Sequence, residues 1–208
     1  MHCKDRTKVQ APIYSLKVKN FSFGVELWEG HGFAPLQIHS NKVLRVSAFD
    51  EPSECDAVYT TDYGFKIGVK TADCVPILLA GRGVICAIHA GWRGLKHGII
   101  QEAILKLSGL CPANELIAFI GPSALSCCYE VGEEFWNHFK ALERRAGKIY
   151  MDTQREAIIQ LKELGVRQFH ILRFCTICNL SLPSHRRDKS KERLYSWIVM
   201  EGELEQRA

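Results

Sequence analysis

Residues 75–89, VPILLAGRGVICAIH, hold two short apolar runs separated by Gly81-Arg82-Gly83. Short apolar runs bounded by glycine are typical of buried strands, and the intervening glycines favour a tight turn. We therefore predict strands at 75–80 and 84–89 that pair as an antiparallel hairpin. Antiparallel pairing places the start of the first strand beside the end of the second.

Helices and strands interleave irregularly around this hairpin. Strand-like composition occurs at 35–39, 43–49, 56–60, 65–70, 116–120 and 168–172. Apolar spacing predicts helices at 95–107 and 133–142, and Asp152 is the predicted N-cap of a helix that ends at Leu164. The irregular order favours an α/β (mixed α+β layered) fold over a doubly wound one. The length fits a single domain over residues 1–208.

Composition and charge narrow the class of function. The chain has 27 basic and 23 acidic residues, and 47% of its residues are apolar, as in ordinary globular proteins. No apolar run approaches the ~20 residues of a membrane helix. The N-terminal stretch lacks the apolar centre of a signal peptide. We therefore expect a cytoplasmic protein with no membrane partner.

Nucleic acid is not an expected partner, because basic and aromatic residues are not interleaved. The basic stretch 186–193 is interpreted as a solvated loop, with anion binding as the alternative. The sequence leaves the oligomeric state unknown.

Nine cysteines are unusual in a chain with no sign of export, and they favour thiols used for metal binding or catalysis. Three of them lie among apolar or turn residues and are interpreted as small core residues: Cys55, Cys86 and Cys111. The vicinal pair Cys127-Cys128 is interpreted as loop or core packing. Cys175 and Cys178 form a CxxC motif, but no second CxxC completes a four-cysteine site. Packing is therefore favoured, with a redox or metal role as the alternative.

Cys74 and His89 are the strongest candidates for chemistry, because the predicted hairpin places them side by side. A Cys beside a His indicates a zinc or copper pair, a thiolate–imidazolium nucleophile, or core packing. His39 would complete a set of three ligands with one open position, which is typical of catalytic zinc. The spacing alone leaves these interpretations open, because His39 lies far from Cys74 in the chain.

Several motifs occur together in one order. TADC (71–74) is followed by HAGWRG (89–94), then by IGP (120–122) and CYEVG (128–132), with CT (175–176) and SHRR (184–187) later. In this the chain resembles the laccase-domain (multicopper polyphenol oxidase) family, which is also described as purine nucleoside phosphorylase-like and as a peptidoglycan editing factor. The resemblance runs from about Phe21 to the C-terminus. The chain departs from the family pattern at Ser40 and Ser123, where Gly and Cys are usual.

The resemblance implies a zinc ion held by His39, Cys74 and His89. It also implies a fold related to the catalytic domain of cytotoxic necrotizing factor. Family activities include phosphorolysis of adenosine, inosine and methylthioadenosine, and deamination of adenosine. The implied partners are therefore a small-molecule nucleoside and phosphate.

Roles for nearby residues follow from these reactions. Asp73 is the first candidate for proton transfer in deamination, and Glu130 is the second. A structural role for Asp73, such as bonding Arg93, is the alternative. Arg93 is the preferred phosphate donor, because a guanidinium binds phosphate through two parallel hydrogen bonds. Arg186 and Arg187 are alternatives, and any of these could instead form ordinary ion pairs. Trp92 would stack on a base or pack in the core.

Three other functions compete with this hypothesis. A metal-independent Cys–His hydrolase or amidase would use Cys74 as nucleophile and His89 as base. Peptidoglycan-precursor editing would belong to this class or use the metal. A zinc-binding module without turnover is the second. Copper could occupy the Cys/His set and give polyphenol oxidation, because copper outcompetes zinc at such ligands. Multicopper chemistry is disfavoured, since the eight His residues form no HxH motif.

Overall fold

Residues 12–202 are described by the computed structural model. The strands are β1 (Tyr14–Val18), β2 (Phe21–Leu27), β3 (Val43–Arg45), β4 (Ala57–Thr60), β5 (Ile67–Thr71), β6 (Val75–Gly81), β7 (Val84–Ala90), β8 (Ile117–Ile120), β9 (Glu130–Val131), β10 (Leu142–Arg145), β11 (Lys148–Met151), β12 (Gln168–Ile171) and β13 (Leu194–Met200). The helices are α1 (Trp92–Lys96), α2 (Ile99–Leu107), α3 (Thr153–Glu163) and α4 (His185–Asp188). Residues 1–11, where the signal-peptide interpretation applies, and 203–208 lie outside the described residues.

The predicted hairpin forms the centre of a six-stranded mixed sheet with the order β12-β8-β6-β7-β4-β3. Strands β6 and β7 pair antiparallel, with Gly81 opposite Val84 and Pro76 opposite His89. A four-stranded antiparallel sheet has the order β1-β2-β13-β5, and a three-stranded sheet has the order β10-β11-β9. The hairpin prediction is confirmed, with each strand one residue longer than expected.

Both faces of the six-stranded sheet are covered. Along β6, Ile77 and Leu79 join a core shared with α2 and α3, whereas Leu78 and Ala80 join a core shared with the four-stranded sheet. A strand buried on both faces has no solvent side, which explains its continuous apolar sequence. The layers are therefore helices, mixed sheet and antiparallel sheet, and the mixed α/β layered fold is confirmed.

The single helix predicted at 95–107 is wrong, because two helices occupy this region. Gly98 separates α1 from α2 and has a φ of +79°, a left-handed conformation that ends the first helix. The N–H of Gly98 donates to the carbonyl of Leu95. The apolar face predicted for the longer helix is retained in α2, where Ile99 and Ala103 are buried against the mixed sheet.

The helix predicted at 133–142 is also wrong. A 3₁₀ segment covers only Glu133–Asn137, and Leu142 begins β10. The buried carboxylate of Glu156 accepts the backbone N–H groups of Lys140 and Ala141. These two groups would donate within the predicted helix, so a contact distant in sequence replaces its hydrogen bonds.

The remaining predictions include one helix that is confirmed and one strand that is wrong, and some observed strands had no prediction. Helix α3 is confirmed, with the side chain of Asp152 accepting the N–H of Arg155 at 2.8 Å. The strand expected at 35–39 is wrong, since only an isolated bridge joins Leu36 to Glu54. Strands β1, β2 and β13 were not predicted. Strand β13 pairs with both β2 and β5 and so completes the antiparallel sheet.

The two hydrophobic cores lie on opposite faces of the mixed sheet, which joins them. The single domain over residues 1–208 stays a prediction. Within residues 12–202, none of the helices has both the length and the apolar character needed to cross a membrane.

Candidate metal centre

Three predicted ligands meet at one end of the central hairpin. His39, Cys74 and His89 each offer one ligand atom, and these atoms all lie within 4.8 Å of one another. Cys74 Sγ is 4.0 Å from Nε2 of His39. Cys74 and His89 meet because β6 and β7 pair antiparallel, whereas His39 arrives on the loop that precedes β3.

Asp56 holds this arrangement together, and the sequence analysis did not identify it. The side chain is fully buried and lies directly before β4. Its carboxylate accepts the backbone N–H groups of Ile38, His39 and Ser40. It also lies 2.8 Å from Nδ1 of His89. The sequence signal for Asp56 was an acidic residue directly before an apolar strand, but the sequence does not indicate which groups its carboxylate contacts.

The charge of Asp56 fixes the orientation of the His89 imidazole. Burial raises the pKa of Asp56, but hydrogen bonds from His89 and Ser40 outweigh it and lower the pKa to about 2. The ionised carboxylate only accepts, so Nδ1 of His89 must donate. This leaves Nε2 of His89 as the atom available for a metal, an arrangement common for metal-bound histidine.

Cys74 and His89 each favour the charged form of the other. Burial raises the pKa of Cys74, but the charge of His89 and the hydrogen bond from His39 outweigh it and lower the pKa to about 6. Burial lowers the pKa of His89, but Cys74 and Asp56 outweigh it and raise the pKa to about 9. A metal ion needs the thiolate, which the lowered pKa of Cys74 favours, and it displaces one proton from the charged imidazole.

The donor set fits a three-ligand metal site. Two imidazoles and one thiolate suit zinc, and three protein ligands leave one open position. Close approach is possible because residue 91 is glycine. A Cβ on Gly91 would lie 3.0 Å from Sγ of Cys74 and 3.2 Å from Cδ2 of His39. The HAGWRG motif therefore supplies both His89 and the space that the other two ligands need.

A cleft of about 660 Å³ opens over the three ligands. Four cationic side chains line it: Lys70, Arg93, Arg186 and Arg193. Aromatic side chains also line it: Trp28, Trp92 and Tyr129. Burial and the charge of Arg193 lower the pKa of Lys70. The cleft therefore combines apolar surface with an excess of positive charge, which suits an anionic ligand carrying an aromatic ring.

Asp73 lies at the cleft but is already engaged. It has a φ of +92°. One carboxylate oxygen accepts Oγ1–H of Thr176 at 2.7 Å, and the other accepts the backbone N–H of Arg186 at 2.6 Å. These contacts favour a structural role through Thr176 and Arg186 rather than through Arg93. The proton-transfer role of Asp73 stays a prediction.

The predicted phosphate donors occupy different surroundings. The guanidinium of Arg93 is exposed and lies 4.6 Å from the ring centroid of Trp92. The guanidinium of Arg186 lies 4.8 Å from the ring centroid of Tyr129. Arg187 donates to the carbonyls of four residues in 176–182, so it stabilises that segment. Arg93 therefore stays available to a ligand. Arg186 donates from Nη1 to the carbonyl of Glu130 at 3.2 Å and keeps its other N–H donors for a ligand.

A family model for multi-copper polyphenol oxidoreductase laccase matches residues 19–201. The chain belongs to this family. A relative from Aquifex aeolicus, named purine nucleoside phosphorylase, is 46% identical to this laccase-family chain over 172 residues. The match covers 81% of this chain and 82% of the relative. A purine nucleoside phosphorylase of Clostridium acetobutylicum is 34% identical over 175 residues, which cover 78% and 74%.

Solved structures resemble the laccase-family chain in fold. Protein NMB0706 of Neisseria meningitidis aligns with a TM-score of 0.80 at 23% identity, covering 91% of this chain and 99% of that one. YlmD of Geobacillus stearothermophilus aligns with a TM-score of 0.79 at 20% identity, covering 88% and 93%. Both support the mixed α/β fold. The relation to cytotoxic necrotizing factor stays a prediction.

Proposed function

We propose that the protein is a zinc-dependent purine nucleoside phosphorylase. It would cleave adenosine, inosine and methylthioadenosine with phosphate, and it would also deaminate adenosine. The observation that carries the proposal is the convergence of His39, Cys74 and His89 beneath a cleft lined by four cations. The names of the relatives at 46% and 34% identity support the same activity.

Phosphorolysis sets clear demands on the cleft. A phosphate oxygen attacks C1′ of the ribose, the bond from C1′ to the purine nitrogen breaks, and its electron pair leaves with the base. The base then takes a proton, and the products are free purine and ribose 1-phosphate. Arg93 and Arg186 supply cationic donors for phosphate, and aromatic side chains offer faces for the purine.

His39, Cys74 and His89 would hold the zinc ion. When bound, zinc supplies a Lewis acid that stabilises negative charge developing at the reacting groups. Asp56 keeps the proton of His89 on Nδ1 and holds the His39 loop by its backbone N–H groups. Copper suits the same ligands, so zinc as the native metal is part of the proposal.

A second candidate is a metal-independent Cys–His amidase that acts on peptidoglycan precursors. It is favoured by the low pKa of Cys74, about 6, beside an imidazole oriented by Asp56. Cys, His and Asp in this relation form an activated nucleophile.

One set of assays separates the two. Protein purified without added metal is analysed for zinc and copper, and adenosine and inosine turnover is measured with and without phosphate. Phosphate-dependent release of free base that requires bound zinc would support the phosphorylase. Phosphate-independent conversion of adenosine to inosine would support deamination alone.

His39→Ala is the decisive variant, because it removes a metal ligand and keeps both Cys74 and His89. The phosphorylase would lose its metal and its turnover in this variant. The amidase would keep its activity on amide substrates and would resist chelators, but it would be inactivated by iodoacetamide. Full phosphorolysis by metal-free His39→Ala protein would refute the metal-dependent proposal.

Localisation in the cytoplasm is part of the same proposal. Eight cysteines of the described chain are free thiols, including the exposed Cys127 and Cys178. Thiols of this kind persist in a reducing compartment.

A further inference from the structure

His39, Cys74 and His89 are called the metal triad below. A second group of sulfur atoms lies outside this triad, where the loop after β8 meets the segment after β12. Ser123 and Cys175 form an isolated parallel bridge there. The N–H of Ser123 donates to the carbonyl of Phe174 at 3.1 Å, and the N–H of Thr176 donates to the carbonyl of Ser123 at 3.0 Å. Backbone hydrogen bonds therefore bring the vicinal pair and the CxxC motif together without help from the thiols.

The sulfur positions match a metal-binding geometry. The Sγ atoms of Cys127, Cys128, Cys175 and Cys178 all lie within 4.8 Å of one another, and those of Cys127 and Cys178 are 3.8 Å apart. Zinc binds thiolates at about 2.3 Å, so the edges of a regular tetrahedron of sulfurs measure about 3.8 Å. A disulfide would pair sulfurs at about 2.0 Å and would not require all four to converge.

We propose that Cys127, Cys128, Cys175 and Cys178 bind one zinc ion as a structural tetrathiolate site. Four protein ligands leave no open position, which distinguishes this site from the three-ligand triad. The four thiols release their protons when the metal binds. Cys127 and Cys178 are exposed, which gives the metal a path from solvent, whereas Cys175 is buried.

A positive charge lies beside the cluster. Four thiolates around one divalent ion carry a net charge of −2. The guanidinium of Arg145 donates to the carbonyls of Ser126 and Cys127 at 3.2 and 3.3 Å. The positive charge of Arg145 therefore lies beside the backbone of Cys127, where it offsets part of the negative charge of the four thiolates.

The site would stiffen one wall of the cleft. Thr176 lies inside the CxxC turn and donates to Asp73, the residue before the triad ligand Cys74. Tyr129 directly follows Cys128 and lines the cleft. A metal that ties these two segments together would therefore position the cleft wall without contacting the substrate.

Metal stoichiometry under reducing conditions tests the proposal. We expect about two zinc ions per wild-type chain and about one in His39→Ala, which loses the triad ion. The double variant Cys127→Ser/Cys178→Ser should also keep about one, and the combination of all three substitutions should keep none. Cys111→Ala, which removes a buried thiol outside the cluster, is the control and should keep both ions. The double variant should also unfold at a lower temperature than the wild type.

Cobalt spectroscopy tests the ligand set even if the double variant does not fold. Co²⁺ bound to His39→Ala protein should show the intense visible bands and thiolate charge-transfer absorption of a tetrahedral four-thiolate site. A spectrum without that pattern would overturn the proposal. A single wild-type zinc that disappears in His39→Ala would also overturn it. Disulfides among the four cysteines that persist in wild-type protein purified under reducing conditions would overturn it as well.

Discussion

Replacing Asp56 by Asn tests whether one buried carboxylate holds two of the three triad ligands in place. Asn has the same size, so the change removes charge and one acceptor without opening a cavity. If the Asn oxygen stays toward Ser40, its NH₂ group faces the N–H of His39 and Nδ1 of His89. The N–H of His39 then loses its acceptor. A charged His89 carries a proton on each ring nitrogen, so it can accept from the new NH₂ group only by losing its Nδ1 proton, which leaves the remaining proton on Nε2.

The structure gives the magnitude of the effect on stability. An unpaired buried donor costs about 1–3 kcal/mol. The same carboxylate contacts lower the pKa of Asp56 from 3.8 to about 2, which corresponds to about 2–3 kcal/mol of folding free energy at neutral pH. We therefore expect Asp56→Asn to lower the free energy of unfolding of the metal-free protein by about 3 kcal/mol.

The same shift predicts a pH dependence. Because the pKa is lower in the folded state, the carboxylate stabilises the fold above the unfolded value near 4. This stabilisation is lost as the pH falls through about 2. The stability difference between wild type and Asp56→Asn should therefore be largest near pH 5 and shrink below pH 4. It should also shrink as the pH rises from 6.5 towards 9, because Asp56 helps to raise the pKa of His89 to about 9.

Metal affinity should fall together with stability. A proton on Nε2 of His89 competes with the metal, and loss of such an outer partner typically weakens binding by roughly 10–100-fold. Urea unfolding of metal-free protein gives the first quantity, and competition with a chromophoric chelator gives the second. Asp50→Asn is the control, because its exposed carboxylate accepts only the N–H of Ser47 among the described contacts. Wild-type stability and metal affinity in Asp56→Asn would refute the reasoning.

Three further predictions concern the site and its support. Gly91→Ala should weaken metal binding, because the new Cβ would lie 3.0 Å from Sγ of Cys74. Gly109→Ala, whose new Cβ meets open space, is the control, and equal metal affinities of the two variants in the chelator assay would contradict the prediction. In metal-free protein, iodoacetamide should label Cys74 at a rate that rises through about pH 6, and bound zinc should protect Cys74. Mass spectrometry compares this labelling with that of the buried Cys111, whose pKa is raised by burial, and labelling of Cys74 only at alkaline pH would count against the prediction. Glu156→Ala should lower the free energy of unfolding by about 2–5 kcal/mol, because it leaves two backbone N–H groups without an acceptor; a loss below about 1 kcal/mol in urea would be inconsistent with that role.

Local patterns predicted the centre of the fold well. The hairpin of β6 and β7 depends on two apolar runs and a glycine turn within fifteen residues, so its pairing and the meeting of Cys74 with His89 follow from nearby sequence. Helix α3 was predicted equally well, because its N-cap Asp152 and its C-cap Leu164 lie directly beside the helix in the sequence. In each case the interactions that decide the structure are close in the chain.

Elements that depend on distant contacts were missed. The helix expected at 133–142 is replaced because Glu156 takes the N–H groups that a helix would use. Strand β13 forms only between β2 and β5, which come much earlier in the chain. The strand expected at 35–39 is instead a loop whose N–H groups are held by Asp56.

The sequence by itself determined which residue types are available to bind a metal and the hairpin that joins Cys74 to His89, because residue type and local periodicity are properties of the sequence. Local sequence left the place of His39 open, and the family resemblance implied it. Only the tertiary structure decided that Asp56 orients His89 and that four cysteines from two segments converge. Cys127 and Cys178 are 51 residues apart and meet at 3.8 Å. Such contacts are fixed by how sheets and loops pack, and no local pattern encodes which distant side chains that packing brings together.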